Sequence, residues 1–73
     1  MRIEKRAARN FGRRIKELRV LKSWTQEELA TEAGISKNYL GEIERGENNV
    51  SIHYIARLAD AFGLSLADLF VGL

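Results

Sequence analysis

The sequence predicts an all-α, compact five-helix fold, and three observations carry that expectation. Proline is absent from all 73 residues, and no alternating apolar-polar pattern of the β type persists. Apolar residues instead recur at spacings of three and four. Four of the resulting stretches open on a hydroxyl residue suited to an N-cap, namely Thr25, Ser36, Ser51 and Ser65, and three of them close on Gly34, Gly46 or Gly63.

The first helix carries one stripe, Ile3, Ala7, Phe11, Ile15, Leu18 and Leu21, and is expected to end near Lys22. Residues 1–9 form a basic N-terminal extension ahead of a helix-turn-helix domain at 10–73. Asn10 is a competent cap for a shorter helix, so the extension has two readings, a helical continuation or a mobile basic arm. Thr25-Gln26-Glu27-Glu28 is a capping box for the second helix, with Trp24 packing inward just before it. Leu29, Ala30 and Ala33 mark its buried face. Gly34 ends it, Ser36 caps the third helix, and Gly46 ends that one. After the polar loop 47–50, Ser51 caps a fourth helix carrying Ile52, Ile55, Leu58, Ala59 and Phe62. Ser65 caps a short fifth helix, with Asp68 near its positive end.

Composition narrows the function classes. The chain contains no cysteine and one histidine, His53, so disulfides and thiolate metal sites are excluded. No glycine-rich phosphate loop, metal-ligand cluster or nucleophile-base pair is present, which argues against an enzyme and implies no cofactor, metal or small-molecule ligand. No apolar run approaches the roughly 20 residues of a membrane span, so an intracellular, cytoplasmic protein is expected. The formal net charge of +2 hides an asymmetry. Residues 1–22 hold nine basic against two acidic residues, a net +7, whereas residues 23–73 hold three against eight, a net −5. Such a basic half suits a polyanionic partner.

The twenty residues from Gln26 to Arg45 carry the functional expectation. Two short amphipathic patterns flank Gly34-Ile35-Ser36, a break too short for anything but a sharp turn between helices. In that arrangement the second helix is the one presented to a DNA groove. At about 100° per residue, Tyr39, Leu40, Ile43 and Glu44 share one arc of it, and Lys37, Asn38, Gly41, Glu42 and Arg45 the opposite one. Asn38 matches adenine N6/N7, Lys37 guanine O6/N7 or a phosphate, and Glu42 cytosine N4. Gly41 permits close approach to the bases. Gln26 and the free amides of the second helix suit a phosphate, as does Arg45. Asn48, Asn49 and Ser51 either clamp the same backbone or serve as plain loop and cap residues.

These residues resemble the lambda-repressor-like family of Cro and XRE-type regulators. The resemblance rests on Gln26, Ala30, Gly34, Ile35, Leu40 and Ile43, on Glu44-Arg45-Gly46, and on the tail Ala59, Phe62-Gly63-Leu64-Ser65 and Leu69-Phe70. It implies a DNA-binding regulator whose third helix occupies the major groove, with Gln26 as phosphate anchor and Lys37, Asn38 and Glu42 as base readers. It also implies an ion pair between Arg19 and Glu44 that fixes the recognition helix. Tyr39 and Arg14 complete the expected phosphate-contacting set. Two departures are visible: Asn49-Val50 stands where relatives often carry a proline, and the basic extension is longer than in the shortest members.

One helix reads few base pairs, so a homodimer on a two-fold symmetric double-stranded operator is expected, with Ile52, Leu66, Phe70 and Leu73 as its interface. The rival reading is a protein-interaction module, of the antitoxin or coactivator type, on the same scaffold.

Overall fold

The computed structural model describes residues 3–73, with side chains from Glu4 onward, so Met1, Arg2 and the side chain of Ile3 lie outside the described residues. Five helices form among them: α1 Ile3–Leu21, α2 Gln26–Ala33, α3 Lys37–Glu44, α4 Ile52–Phe62 and α5 Leu66–Leu69. Helix α1 packs on α3, α2 on both α3 and α4, and α5 on α4. All five contribute to one core: Phe11 and Ile15, then Leu29, Ala30 and Ala33, then Leu40 and Ile43, then Leu58, Ala59 and Phe62, and finally Leu69. Trp24 packs against this core, its ring stacked 6.0 Å from that of Phe62.

Local signals set most helix ends. Thr25 accepts from the Glu28 amide at 3.1 Å, while the Glu28 carboxylate accepts from the Thr25 amide at 2.9 Å, closing the capping box. Ser36 accepts from the Tyr39 amide and Ser65 from the Asp68 amide. Gly34 has φ +70°, so Ile35 N–H returns to the Ala30 carbonyl and Gly34 N–H to that of Thr31. This reversal lets α3 start three residues later, at Lys37. Arg57 of α4 donates to the Gly34 carbonyl at 2.9 Å and ties the turn to the scaffold.

Two expectations change, and one open alternative is decided. Helix α1 runs unbroken through Asn10, so residues 3–9 are helical rather than a separate arm. Asn10 instead accepts a hydrogen bond from Arg13 at 2.8 Å. Ala7 and Leu21 of the expected stripe are exposed. Ser51 occupies the N-cap position of α4, but its hydroxyl makes no capping bond. Ile52, expected among the exposed apolar residues, is 64% exposed.

The crossing of α1 and α3 depends on a residue whose importance no sequence pattern signalled. A Cβ at Gly12 would strike the Ile43 carbonyl oxygen and lie 2.8 Å from that of Glu44. The α1 backbone therefore rests directly on the last turn of α3. Just beyond, Gly46 at φ +72° faces Arg9, whose Cα lies 2.8 Å from where a Cβ would sit. Any larger residue at Gly12 would push α3 away from α1.

Candidate nucleic-acid interface

Glu44, the last residue of α3, ties three elements together. Arg19 of α1 donates from Nε to Glu44 Oε2 at 2.7 Å and from Nη2 to Oε1 at 3.0 Å, and from Nη1 to the Trp24 carbonyl at 2.9 Å. Gln26, at the start of α2, donates from Nε2 to Glu44 Oε1 at 3.1 Å. Side-chain exposures of 13% for Arg19 and 4% for Glu44 make this a partly buried, bidentate pair. The hydrogen bonds to Glu44 hold the Arg19 guanidinium above its ordinary pKa, against an opposing effect of burial. Both ends of the helix-turn-helix are thereby fixed to α1. The expected Arg19–Glu44 contact is present.

The outward side of α3 differs in detail from the helical-wheel picture. Lys37 and Asn38 are exposed, on the first turn of the helix. Gly41 is buried: a Cβ there would lie 3.1 Å from Arg45 Nη1 and 4.0 Å from Gln26 Nε2. Its own neighbours thus cover it, and close approach of a base at Gly41 requires Arg45 to swing aside. Glu42 is half-buried. Its Oε1 accepts from Asn48 Nδ2 at 2.6 Å, and its Oε2 lies 3.4 Å from Asn38 Nδ2. Asn48, expected at a phosphate or as a plain loop residue, therefore points back to α3.

The expected phosphate contacts fall into two groups. Asn49 and Ser51 are exposed on the loop and cap before α4. Gln26 keeps one amide hydrogen beyond its bond to Glu44. Tyr39 is half-buried, edge-on to Tyr54 at 5.0 Å, and burial first, then Tyr54 and Glu42, push its phenol pKa up. It therefore stays a neutral O–H donor. Arg45 is exposed but forked onto Glu47 at 2.8 and 3.2 Å. Arg14 departs furthest from expectation: its Nε and Nη2 donate to the carbonyls of Leu69 and Asp68 at 3.0 and 2.8 Å. It holds the C-terminal end of α5, where a guanidinium satisfies carbonyls the short helix leaves open.

Sequence reasoning missed Gly12, Arg57 and the tie between Asn48 and Glu42. The first shows no pattern on a helical wheel. Arg57 and Gly34 are brought together by tertiary folding, and Asn48 reaches Glu42 through the chain reversal at Gly46; no spacing rule points to either contact.

An exposed, polar first turn on a short helix, locked at a sharp angle to the helix before it, defines a helix-turn-helix module of the DNA-binding class. The chain belongs to the helix-turn-helix family HTH_3, the Cro/C1 type of transcriptional regulator, whose family model matches residues 15–69. It is similar to the control protein C.BamHI of Bacillus amyloliquefaciens, 38% identical over 60 residues covering 81% of this chain and 74% of that one. It is also similar to the restriction-modification controller protein C.AhdI of Aeromonas hydrophila. That crystal structure superposes with a TM-score of 0.88 at 38% identity, over 94% of this chain and all (100%) of that one. A third similarity is to SinR, a Bacillus subtilis regulator of biofilm formation, solved in complex with DNA. There the TM-score is 0.76 at 37% identity, over 81% of this chain and 95% of that one.

Proposed function

We propose that the protein is a sequence-specific double-stranded DNA-binding regulator that places α3 in the major groove and binds a two-fold symmetric operator as a homodimer. The observation that carries this reading is the exposed Lys37-Asn38 turn on a helix anchored by Arg19, Glu44 and Gln26. A reader of base edges needs donors and acceptors held at a fixed angle to the scaffold, and this arrangement provides both. Lys37 and Asn38 are assigned to bases. Gln26, Tyr39, Arg45, Asn49 and Ser51 are assigned to phosphates, with the cations of α1 adding sequence-independent attraction. The setting is the cell interior, where the DNA is.

The dimer assignment rests on exposed apolar surface. Ile52, Leu66, Phe70 and Leu73 are 64%, 40%, 37% and 51% exposed, and Val71 beside them is 58% exposed. Phe70 and Leu73 also border a cleft of about 630 Å³ with Phe11, Val50 and Ile55. Pairing through this end doubles the contacts and requires half-sites about 34–36 Å apart or a multiple of that.

Selection of bound duplexes from a random pool tests the proposal. The expected result is a two-fold symmetric consensus, degraded at particular positions by Lys37→Ala and by Asn38→Ala. Each lost bidentate contact lowers discrimination by about 1–3 kcal/mol. The absence of any consensus would point instead to a protein-interaction module on this scaffold.

A further inference from the structure

We infer that Asn48 is a positioning residue for base readout: its amide fixes the Glu42 carboxylate, which sets the orientation of the Asn38 amide. This rests on the assignment of Asn38 to a base.

The argument begins with the chain reversal after α3. Gly46 in the left-handed region lets Glu47 N–H return to the Glu42 carbonyl at 3.0 Å, so the loop folds back along the last turn of the helix. That return brings Asn48 to Glu42, with Nδ2 at 2.6 Å from Oε1 and both residues half-buried. Glu42 would otherwise be a flexible anion on a surface facing a polyanion, and phosphates would drive it away. The short bond to Asn48 keeps it in place.

The other carboxylate oxygen then acts on Asn38. An amide must turn its nitrogen toward a carboxylate, because its oxygen and the carboxylate are both acceptors and repel. Glu42 Oε2, 3.4 Å from Asn38 Nδ2, therefore disfavours the flipped amide. One N–H of Asn38 faces Glu42. Its Oδ1 and second N–H remain as an ordered acceptor-donor edge, the pair that adenine N6/N7 requires. Glu42 thus acts through Asn38 rather than on cytosine, and Asn48 acts through Glu42.

The test is selection from a random duplex pool with the full chain, Asn38→Ala, Asn48→Ala and the double variant, each checked for folding by thermal melting. Asn48→Ala is expected to lower the preference for the favoured base about tenfold, only at the position that Asn38→Ala degrades. The double variant is expected to lose no more there than Asn38→Ala alone. Two further variants keep side chains of similar size and carry the test should Asn48→Ala fold poorly. Asn48→Asp sets a second carboxylate against Glu42 and is expected to give the same localised loss. Glu42→Gln offers Asn38 either end of an amide and is expected to relax the same position. Loss spread evenly over all positions, additive loss in the double variant, or no change would overturn the inference while the wild-type consensus still stands. A wild type with no consensus would overturn the DNA-readout assignment and this inference together.

Discussion

The two arginine-carboxylate pairs of the candidate interface share a chemistry and differ in setting. Arg19 and Glu44 are largely enclosed, so losing either partner would strand a charge away from water. Arg45 and Glu47, with side chains 57% and 53% exposed, face solvent, where such pairs contribute little to stability. The hydrogen bond from Arg45 nevertheless holds the Glu47 carboxyl below its ordinary value of 4.5. A lowered folded pKa means that the pair's small stabilisation is present above about pH 4.5 and fades as pH falls through the folded value. At neutral pH, Glu47 competes with any phosphate for Arg45. Glu47→Gln is therefore expected to tighten binding to duplex DNA about two- to fivefold at low salt and to steepen its salt dependence. Titration of a labelled duplex at two salt concentrations reads both effects. The thermal midpoint at pH 7 is expected to stay nearly unchanged, and the variant's melting is expected to respond less to acid as pH falls below about 4.5.

Among the elements, capping separates stability from binding. Ser36 accepts from the Tyr39 amide at 3.0 Å, whereas the Ser51 hydroxyl satisfies no amide of α4. Ser36→Ala is expected to cost about 1 kcal/mol in urea unfolding. Ser51→Ala is expected to cost less than about 0.5 kcal/mol yet to weaken DNA binding, which the same titration measures. Equal destabilisation by both would place Ser51 among ordinary caps. The capping box, the Gly34 turn and the α3 cap were legible in the sequence because each depends on residues within a few positions of one another. The end of α1, expected near Lys22, falls at Leu21. Ser23 takes the left-handed conformation there, with φ +59°, so that Trp24 N–H returns to the Arg19 carbonyl. No glycine announced that stop. Asn10 shows the reverse case, since a competent cap sits mid-helix when the chain before it also gains by staying helical.

Across the whole molecule, positive charge is concentrated on α1, where Lys5, Arg6, Arg9, Arg13 and Lys16 are exposed, and most exposed large apolar residues lie on α4, α5 and the residues after them. The two meet at one cleft, which Arg6 lines together with Phe70 and Leu73. In the proposed function the basic surface meets DNA and the apolar one meets a second copy of the chain. Leu66→Asp tests the second surface. Leu66 is exposed and its change leaves the core intact, so helical circular dichroism is expected to persist. Sedimentation equilibrium is expected to shift to the monomer, and binding to a symmetric operator to weaken by about 100-fold or more, as the advantage of joined half-sites disappears. A wild type that is monomeric at high micromolar concentration would remove the dimer from the proposal.

The sequence by itself determined the helices, most of their caps, the sharp turn at Gly34 and the core face of the helix-turn-helix. These follow from periodicity and short-range hydrogen bonding, which act between near neighbours in the chain. It also carried the residues of the Arg19–Glu44 pair, through resemblance to a family. Only the tertiary structure decided that Arg14 holds α5 and that Gly41 lies beneath Arg45 and Gln26. Polar side chains of this kind take whichever partner the packing brings within about 3 Å, and that distance is set by how whole helices cross. The crossing of α1 and α3 turns on Gly12, a residue whose missing side chain leaves no mark on a hydropathy pattern.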